Sequence, residues 1–536
     1  VAPGRLVFVT GGVMSGIGKG VVTSSVAKCL QVRGLSVRVS KIDPYLNIDA
    51  GTMNPYQHGE VFVTDDGGEI DVDFGHYERM LDIDLHKERN ITTGQVYLSV
   101  IGKERRGDYL GQTVQIIPHL TDEIKKRIME EEDCDVALVE VGGTVGDIEG
   151  LPFLEAIRQL CFDIPHSCHI HVTYVPMPSH LHEPKTKPSQ HSVHECMALG
   201  LQPDMLVCRS EKPIEAGALE KIALFANLRK EDVLTLPDLR NIYEAPLILD
   251  EQECGDNVCE KLELQGNSGG GARLKPDWAP WRKIISKYSN NGSLVRIAII
   301  GKYSAVPDSY ISVVEAVRHA AAECGVNASI ALVASEQFEK SPEKLEALRD
   351  FDGIIVPGGF GERGTEGKIA SIAFARENNI PFLGLCFGLQ LAVVEFAMNE
   401  LRLEDANSTE IDPDTSTPVV DILPEQEETE EKGGTMRLGS LETHLSQGSL
   451  AYYAYDEVKL IHERHRHRYE VNPKYVEKFE SAGLVISGTS PEGIVDIIEL
   501  PSHKFFIATQ FHPEFKSRPG HPAPLFMAFM KAASGK

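Results

Sequence analysis

The apolar run Phe382-Leu383-Gly384-Leu385 leads directly into Cys386, which is followed by Phe387, Gly388, Leu389 and Gln390. A cysteine at such a strand-to-helix turn is pushed out of its sheet, and its thiolate faces the positive end of the next helix. A nucleophile of this kind needs a base. A second apolar run, Phe505-Phe506-Ile507-Ala508, is followed by Gln510-Phe511-His512-Pro513-Glu514. Cys386, His512 and Glu514 therefore form a candidate triad, in which the thiol attacks, His512 moves its proton to the leaving group, and Glu514 fixes the imidazole tautomer. Upstream, Val356-Pro357-Gly358-Gly359-Phe360-Gly361 supplies a glycine turn whose amides, with that of Phe387, can stabilise an oxyanion. A lone cysteine and histidine read more simply as a structural thiol and a surface imidazole; three pieces at strand ends favour acyl transfer.

From Val295 to the C-terminus these motifs resemble the class I, or triad, glutamine amidotransferase domain. The resemblance implies glutamine hydrolysis through a cysteinyl thioester, with release of ammonia. By position in the motifs it places Gly359, Phe387, Gly388, Leu389 and Gln390 along the glutamine site. Glu410 and Arg468 then hold the amino and carboxylate ends of the substrate.

The N-terminal half opens with Arg5-Leu6-Val7-Phe8-Val9-Thr10, then Gly11-Gly12-Val13-Met14-Ser15-Gly16-Ile17-Gly18-Lys19-Gly20, and a helical pattern from Val21 to Arg33. Strand, glycine loop, lysine and helix are the parts of a phosphate cradle: amides at the helix start hold phosphate oxygens and Lys19 adds a point charge. Five residues rather than four separate Gly12 from Gly18, and Gly20 stands where a hydroxyl residue usually meets magnesium. A plain tight turn is the alternative for such a loop. Without the hydroxyl, carboxylates must hold the metal, and Asp73 and Glu140 are the candidates. Glu140 ends the apolar run Val136-Ala137-Leu138-Val139 beside a glycine turn, where the phosphate end of a parallel sheet lies. A solvated strand face is the alternative for Asp71 and Asp73.

The phosphate loop, Ser40-Lys41-Ile42-Asp43-Pro44-Tyr45, Gln57-His58-Gly59-Glu60-Val61-Phe62-Val63, Lys103-Glu104-Arg105-Arg106-Gly107-Asp108-Tyr109-Leu110-Gly111, the Glu140 to Glu149 stretch and Lys185-Thr186-Lys187-Pro188-Ser189-Gln190 occur in this order. With the glutaminase motifs they resemble the CTP synthase family over nearly the whole chain. That resemblance implies two α/β parallel-sheet domains: a P-loop-like, dethiobiotin-synthetase-like amidoligase at 1–288 and a flavodoxin-like class I glutaminase at 296–536, joined by a linker at 289–295. It implies that ATP phosphorylates O4 of UTP and that ammonia displaces the phosphate to give CTP. Lys19 and Lys41 then stabilise the moving phosphoryl, and magnesium on Asp73 and Glu140 bridges the ATP phosphates. Phosphate contacts fall to Ser15, Gly16, Ile17, Gly18, Gly20 and Val21. UTP contacts fall to Ser15, Lys185, Thr186, Lys187, Pro188, Ser189, Gln190 and Lys221, where Ser189 replaces a threonine of the motif. Asp147, Ile148 and Glu149 lie toward the cytosine end of a feedback CTP site, and Asp238 and Leu239 toward the ATP base. GTP enters as an activator of glutamine hydrolysis, with the Phe360–Gly367 and Gly433–Gly439 segments carrying Arg363 and Arg437; solvated loop arginines are the alternative. Homotetramers that stack into filaments are a further implication.

Composition is compatible with this reading. A chain of 536 residues exceeds a single core. With 53 basic and 79 acidic residues, its net charge of −26 argues against nucleic-acid and acidic-membrane surfaces. Ten scattered cysteines without a CxxC pair suit a reducing compartment. No apolar run approaches the roughly 18 residues of a membrane span, and the N-terminus enters a strand rather than a leader, so a cytoplasmic protein is expected. Glu425 to Glu431 reads as a solvated acidic insertion. His180, His182, His191 and His194 crowd the Lys185 to Gln190 motif without thiols, which favours a nucleotide loop over a zinc site. Two rivals stand beside the main reading: a glutamine-dependent cobyrinic acid amide synthase, and a nucleotide-gated scaffold whose main work is assembly.

Overall fold

Short valine- and isoleucine-rich runs, many buried on both faces, build two separate main sheets in a computed structural model that describes residues 4–130, 134–178, 183–264, 274–289, 292–302, 306–359, 361–422 and 436–535. Near-continuous apolar strands suit parallel pairing, because helices then cover both faces. The chain divides into a first unit, Val1–Asp49, His76–Ile83 and Glu88–Ile285, and a second, Ala50–Gly75, Asp84–Lys87 and Ser286–Lys536. The main division thus falls just before the expected linker at 289–295, but two stretches of the N-terminal half pack with the second unit.

In the first unit seven parallel strands run in the order Asn90–Thr92, Val37–Asp43, Val136–Val141, Leu6–Gly11, Ser167–Tyr174, Met205–Ser210 and Val233–Pro237. From Leu6–Gly11 the chain builds the sheet to one side and later returns to build the other. The loop after Gly11 therefore lies at a topological switch point, where sheets of this kind bind ligands. The helix expected from Val21 begins at Lys19 and runs to Gln31 behind Gly18, whose φ of 85° suits glycine alone without strain. Leu6, Phe8, Val139 and Ile157 belong to the core beneath this end of the sheet. The strand-face alternative for Asp71 and Asp73 does not hold: the strand is confined to Glu69–Ile70, and Asp73 opens the helix Asp73–Leu81, where the helix dipole favours an acidic residue.

The second unit's main sheet is mixed. Asn327–Ala334, Leu294–Gly301, Gly353–Val356, Phe382–Leu385 and Phe506–Thr509 are parallel neighbours in that order. Val495–Glu499, Val485–Thr489, Arg437–Leu445 and Leu460–His467 extend it with antiparallel pairing. Short loops join Val485–Thr489, Val495–Glu499 and Phe506–Thr509, and they cannot carry the crossover that parallel pairing needs. A small sheet of Ala406–Ser408, Thr417–Ile422 and Tyr469–Val471, and a hairpin of Phe62–Val63 with Glu69–Ile70, complete this unit.

Three adjacent parallel strands, Gly353–Val356, Phe382–Leu385 and Phe506–Thr509, end at the Pro357 turn, Cys386 and the His512 segment respectively. The helix Phe387–Asn399 lies so close to the sheet that a Cβ on Gly388 would stand 2.1 Å from the Val356 carbonyl oxygen. Gly388→Ala must push the helix off the strand, so the second unit is expected to lose about 3 kcal/mol, at the upper end of overpacking costs. Differential scanning calorimetry checks this, and an unshifted transition would show that the helix is free to move.

Candidate active site

In the first unit, Lys19 is buried and its Nζ donates to the Gly143 carbonyl at 2.7 Å, tying the phosphate loop to the turn after the Glu140 strand. Glu140 pairs in register with Val9 on one side and with Lys41 on the other. Lys41 Nζ lies 3.4 Å from Asp43, whose second oxygen accepts from Asn90 at 2.7 Å. The Glu140 carboxylate is 1% exposed and accepts from the Tyr77 hydroxyl. Tyr77 follows Asp73 by one helical turn on Asp73–Leu81. A buried carboxylate at the end of a parallel strand, beside two lysines, is a hard oxygen donor suited to magnesium.

The remaining residues expected to bind nucleotides divide into exposed and structural groups. Ser15, Gly16, Asp147, Ile148, Glu149, Lys187, Lys221 and Asp238 are exposed, whereas Ile17 and Gly20 are buried and Gly18, Val21, Lys185, Pro188 and Leu239 are half-buried. Thr186, Ser189 and Gln190 build the start of the helix Lys187–Ala198: Gln190 donates to the Thr186 hydroxyl at 3.0 Å, and Ser189 to the Tyr174 carbonyl at 3.0 Å. Ser189 thus uses the hydroxyl it shares with threonine. Lys185 pairs with Glu183.

Two contributors escaped the sequence reading. Lys187 Nζ stands 5.6 Å from the exposed Phe225 ring, one turn beyond Lys221 on Ala216–Ala226. Arg209 donates to the Ile17 carbonyl at 3.1 Å and pairs with Asp238 at 2.9 Å, linking the phosphate loop to the residue expected near the ATP base. An arginine near the end of an otherwise apolar strand was the available signal. Beneath the loop, Thr10 meets His169 and His171 at 2.8 Å each, and His171 meets Ser192 at 2.6 Å. With Cys196 these histidines form a buried cluster of metal-ligand types among the described residues. Burial holds their pKa values down, to about 4 for His169 and about 3 for His171, so they serve as neutral hydrogen-bonding groups. His191 and His194 are described, while His180, His182, Phe360, Gly433 to Thr435 and the acidic run 425–431 lie outside the described residues.

In the second unit a cavity of about 780 Å³ is lined by Cys386, His512, Glu514, Gly358, Gly359, Glu410 and Arg468. Cys386 is 3% exposed and holds φ 53° and ψ −103°, a strained conformation of the kind found at nucleophile elbows. His512 Nδ1 lies 2.7 Å from Glu514, which fixes the tautomer, while Nε2 is buried without a hydrogen-bond partner. Burial opposes charge on His512, yet Glu514 and Cys386 outweigh it and carry its pKa up to about 10. Glu410 accepts from the Gly361 amide at 2.8 Å, and burial raises its pKa. Phe387, Gly388, Leu389 and Gln390 were expected along the substrate site, but their side-chain space lies elsewhere. Phe387 and Leu389 belong to the apolar core, Gly388 abuts Val356, and Gln390 donates to the Tyr469 carbonyl at 2.9 Å.

The same cavity is lined by Gly51 to Tyr56, which the sequence reading did not single out, and by Glu60 and Val61 of the Gln57–Val63 motif, which had no role of its own. Ion pairs hold this stretch: Arg466 to Glu69 at 2.7 Å, and Arg464 to Asp65 at 2.5 Å and to Asp84 at 3.1 Å. Glu60 accepts from the Ser312 amide, and Tyr56 donates to the Lys302 carbonyl at 2.7 Å. Arg363 donates to the Tyr56 hydroxyl at 2.9 Å. Arg437 is committed to the buried Glu470 and Asp496, at 3.4 and 3.8 Å.

The His512 imidazole and the Cys386 thiol line the same cavity. The His512 imidazolium persists until the pH nears 10, and a positive charge beside a thiol favours attack by its thiolate, so alkylation of Cys386 by iodoacetamide is expected to depend on His512. His512→Ala should slow alkylation at pH 7 about tenfold and make it climb with pH. A His512→Ala rate equal to that of the unaltered protein at pH 7 would remove His512 from that role.

Residues 5–264 match the family described as CTP synthase N-terminus, and residues 305–532 match glutamine amidotransferase class-I. A CTP synthase of Methanopyrus kandleri is 53% identical over 99% of this chain and 99% of its own. One from Carboxydothermus hydrogenoformans is 54% identical over 99% of this chain and 98% of its own. Among solved structures, the Trypanosoma brucei CTPS glutaminase domain with bound acivicin is 41% identical, covers 45% of this chain and 94% of that one, and has a TM-score of 0.43. Two units with a phosphate loop in one and a cysteine elbow in the other, and identity above one half along the whole chain, lead to one assignment: the chain belongs to the CTP synthase family, glutamine-hydrolysing enzymes of de novo pyrimidine nucleotide synthesis.

Proposed function

We propose that the first unit phosphorylates O4 of UTP with ATP, and that ammonia freed at Cys386 displaces this phosphate to give CTP. The observation that carries the division of labour is the Cys386, His512 and Glu514 constellation in the second unit, with the Lys19 loop in the first. Cys386 attacks the glutamine amide carbon as its proton passes to His512. The C–N bond then breaks, ammonia leaves with that proton, and water hydrolyses the thioester to glutamate. Glu410 and Arg468, both lining the cavity, are suited to the ammonium and carboxylate ends of glutamine. In the first unit Lys19 and Lys41 offset charge on the moving phosphoryl. Asp73 and Glu140 would hold magnesium, which would supply further positive charge to the ATP phosphates. Lys185, Lys187 and Lys221 answer the UTP triphosphate, with Phe225 a ring beside Lys187.

GTP activation and CTP feedback belong to the same proposal, with Asp147 to Glu149 toward the pyrimidine end of the feedback site. Arg363, which reaches the Tyr56 hydroxyl in the cavity wall, supports a link between an activator and that cavity. A homotetramer is supported by the exposed apolar side chains of the first unit, among them Leu98 at 58%, Ile101 at 53% and Leu110 at 91% exposure. A cytoplasmic setting is supported by ten free cysteines, and no helix among the described residues is long and apolar enough to cross a membrane. We take 1–288 and 296–536 as the working domains, the second borrowing residues 50–75.

The test is ultraviolet monitoring of UTP conversion to CTP with ATP and magnesium, with glutamine plus GTP compared against ammonium. Cys386→Ala is expected to lose glutamine-driven synthesis and keep ammonium-driven synthesis, whereas Lys19→Ala loses both by at least about 100-fold. Equal loss of both nitrogen sources in a well-folded Cys386→Ala protein would argue against separate sites.

A further inference from the structure

Two buried lysines grip the glycine turn that follows Gly353–Val356. Lys368, on the helix Thr365–Glu377, is 1% exposed. Its Nζ donates to the Pro357 carbonyl at 3.2 Å and lies 5.2 Å from the centre of the Phe387 ring. A Cβ on Gly359 would stand 3.4 Å from Lys368 Nζ and 3.5 Å from Lys302 Cε. Lys302 donates to the Gly361 carbonyl at 3.3 Å, and Glu410 accepts from the Gly361 amide. Successive glycines offer no side chains by which this turn can be packed, so its backbone is fixed through its own carbonyls and amides.

An amine here is costly. Burial first, and then the Lys302 charge, bring the pKa of Lys368 down to about 7. An apolar side chain of similar volume fills such space without that penalty. What the amine adds is a donor to one peptide plane. In a trans peptide the C=O and N–H point opposite ways, so a donor on the Pro357 oxygen turns the Gly358 N–H to the other side. Gly358 itself lies against the reacting groups: a Cβ there would be 3.0 Å from His512 Cε1 and 3.7 Å from Cys386 Cβ.

We propose that Lys368 is a positioning residue for glutamine hydrolysis, holding the Pro357–Gly359 backbone so that its N–H groups meet the oxyanion formed when Cys386 attacks. The inference rests on the triad reading above. As the S–C bond forms, the carbonyl π pair moves onto oxygen. As the C–N bond breaks, that pair returns and ammonia leaves with the proton held by His512. The oxygen is charged only in between, so loss of the grip lowers kcat and leaves KM nearly unchanged.

The test compares the unaltered full-length protein with Lys368→Met, which keeps length and apolar bulk and removes the donor. Glutamate release with ATP, UTP and GTP present is expected to fall about 30-fold in kcat, with KM for glutamine within about threefold. Alkylation of Cys386 by iodoacetamide, which builds no oxyanion, should keep its rate, and ammonium-driven synthesis should remain intact. Lys368→Arg, which retains charge and donors, should recover most of kcat. An unchanged kcat, a rise in KM alone, an equal fall in alkylation, or an arginine variant as slow as the methionine one would each overturn the proposal. Cys386→Ala separates the two readings: glutamate release that persists in it sinks the triad, whereas its loss beside an unchanged Lys368→Met kcat sinks only the role of Lys368.

Discussion

The glutaminase site depends on how closely one helix approaches one strand. Gly388 brings the backbone of Phe387–Asn399 against the Val356 carbonyl, and no side chain larger than hydrogen fits between them. The chain must therefore turn sharply between Leu385 and Phe387, and Cys386 takes up the strain at φ 53°. Strain of this kind costs about 1–3 kcal/mol and persists only where surrounding packing enforces it. Here the enforcement comes from an apolar core that includes Leu389, Leu391, Val393 and Phe396. The nucleophile is thus presented by a fully buried helix start, and the neighbouring strands bring His512 and the glycine turn to the same edge.

Each unit uses a version of the same device. A parallel strand ends, the backbone turns through a residue of positive φ, Gly18 in one and Cys386 in the other, and a helix N-terminus faces the space beyond. In the first unit the result is a glycine loop of the kind suited to phosphate anions, tied by Lys19 to the Gly143 turn and by Arg209 to the strand end at Asp238. In the second it is a thiol beside an imidazolium. The two differ in which side chain occupies the turn and in the charge arranged around it. Acidic composition does not hinder phosphate binding when lysines are held locally at strand ends.

Much of this was legible in the sequence because the decisive signals are local. A strand, a glycine turn and a reactive side chain span about ten residues, so Cys386, His512 and the Lys19 loop could be placed before any fold was known. What escaped depended on distance or direction. Leu389 and Gln390 follow the nucleophile in the chain, but the helix that carries them is apolar on all sides, and periodicity gives no face to such a helix. Asp73 lay in an acidic stretch whose alternative reading was a solvated strand face, and the helix it opens was not anticipated. Lys368 carries no signal of its own in the sequence, and only the packing of the helix Thr365–Glu377 shows it to be buried. The motif at Gln57 to Val63 could be recognised without revealing its place, because Asp65 and Glu69 just beyond it pair with Arg464 and Arg466, some 400 positions later.

That separation also sets an order of events during synthesis. Asp65 leaves the ribosome 399 residues ahead of Arg464, its partner in the finished protein. At ordinary translation speeds of about 5–20 residues per second, this is a wait of about 20–80 seconds. Through that time the first unit can assemble its sheet, because its seven strands are complete by Pro237. Residues 50–75 meanwhile form a charged loop with no finished surface to rest on. The wall they lend to the Cys386 cavity is therefore among the last parts put in place, and the cavity is completed only after nearly the whole chain has been made.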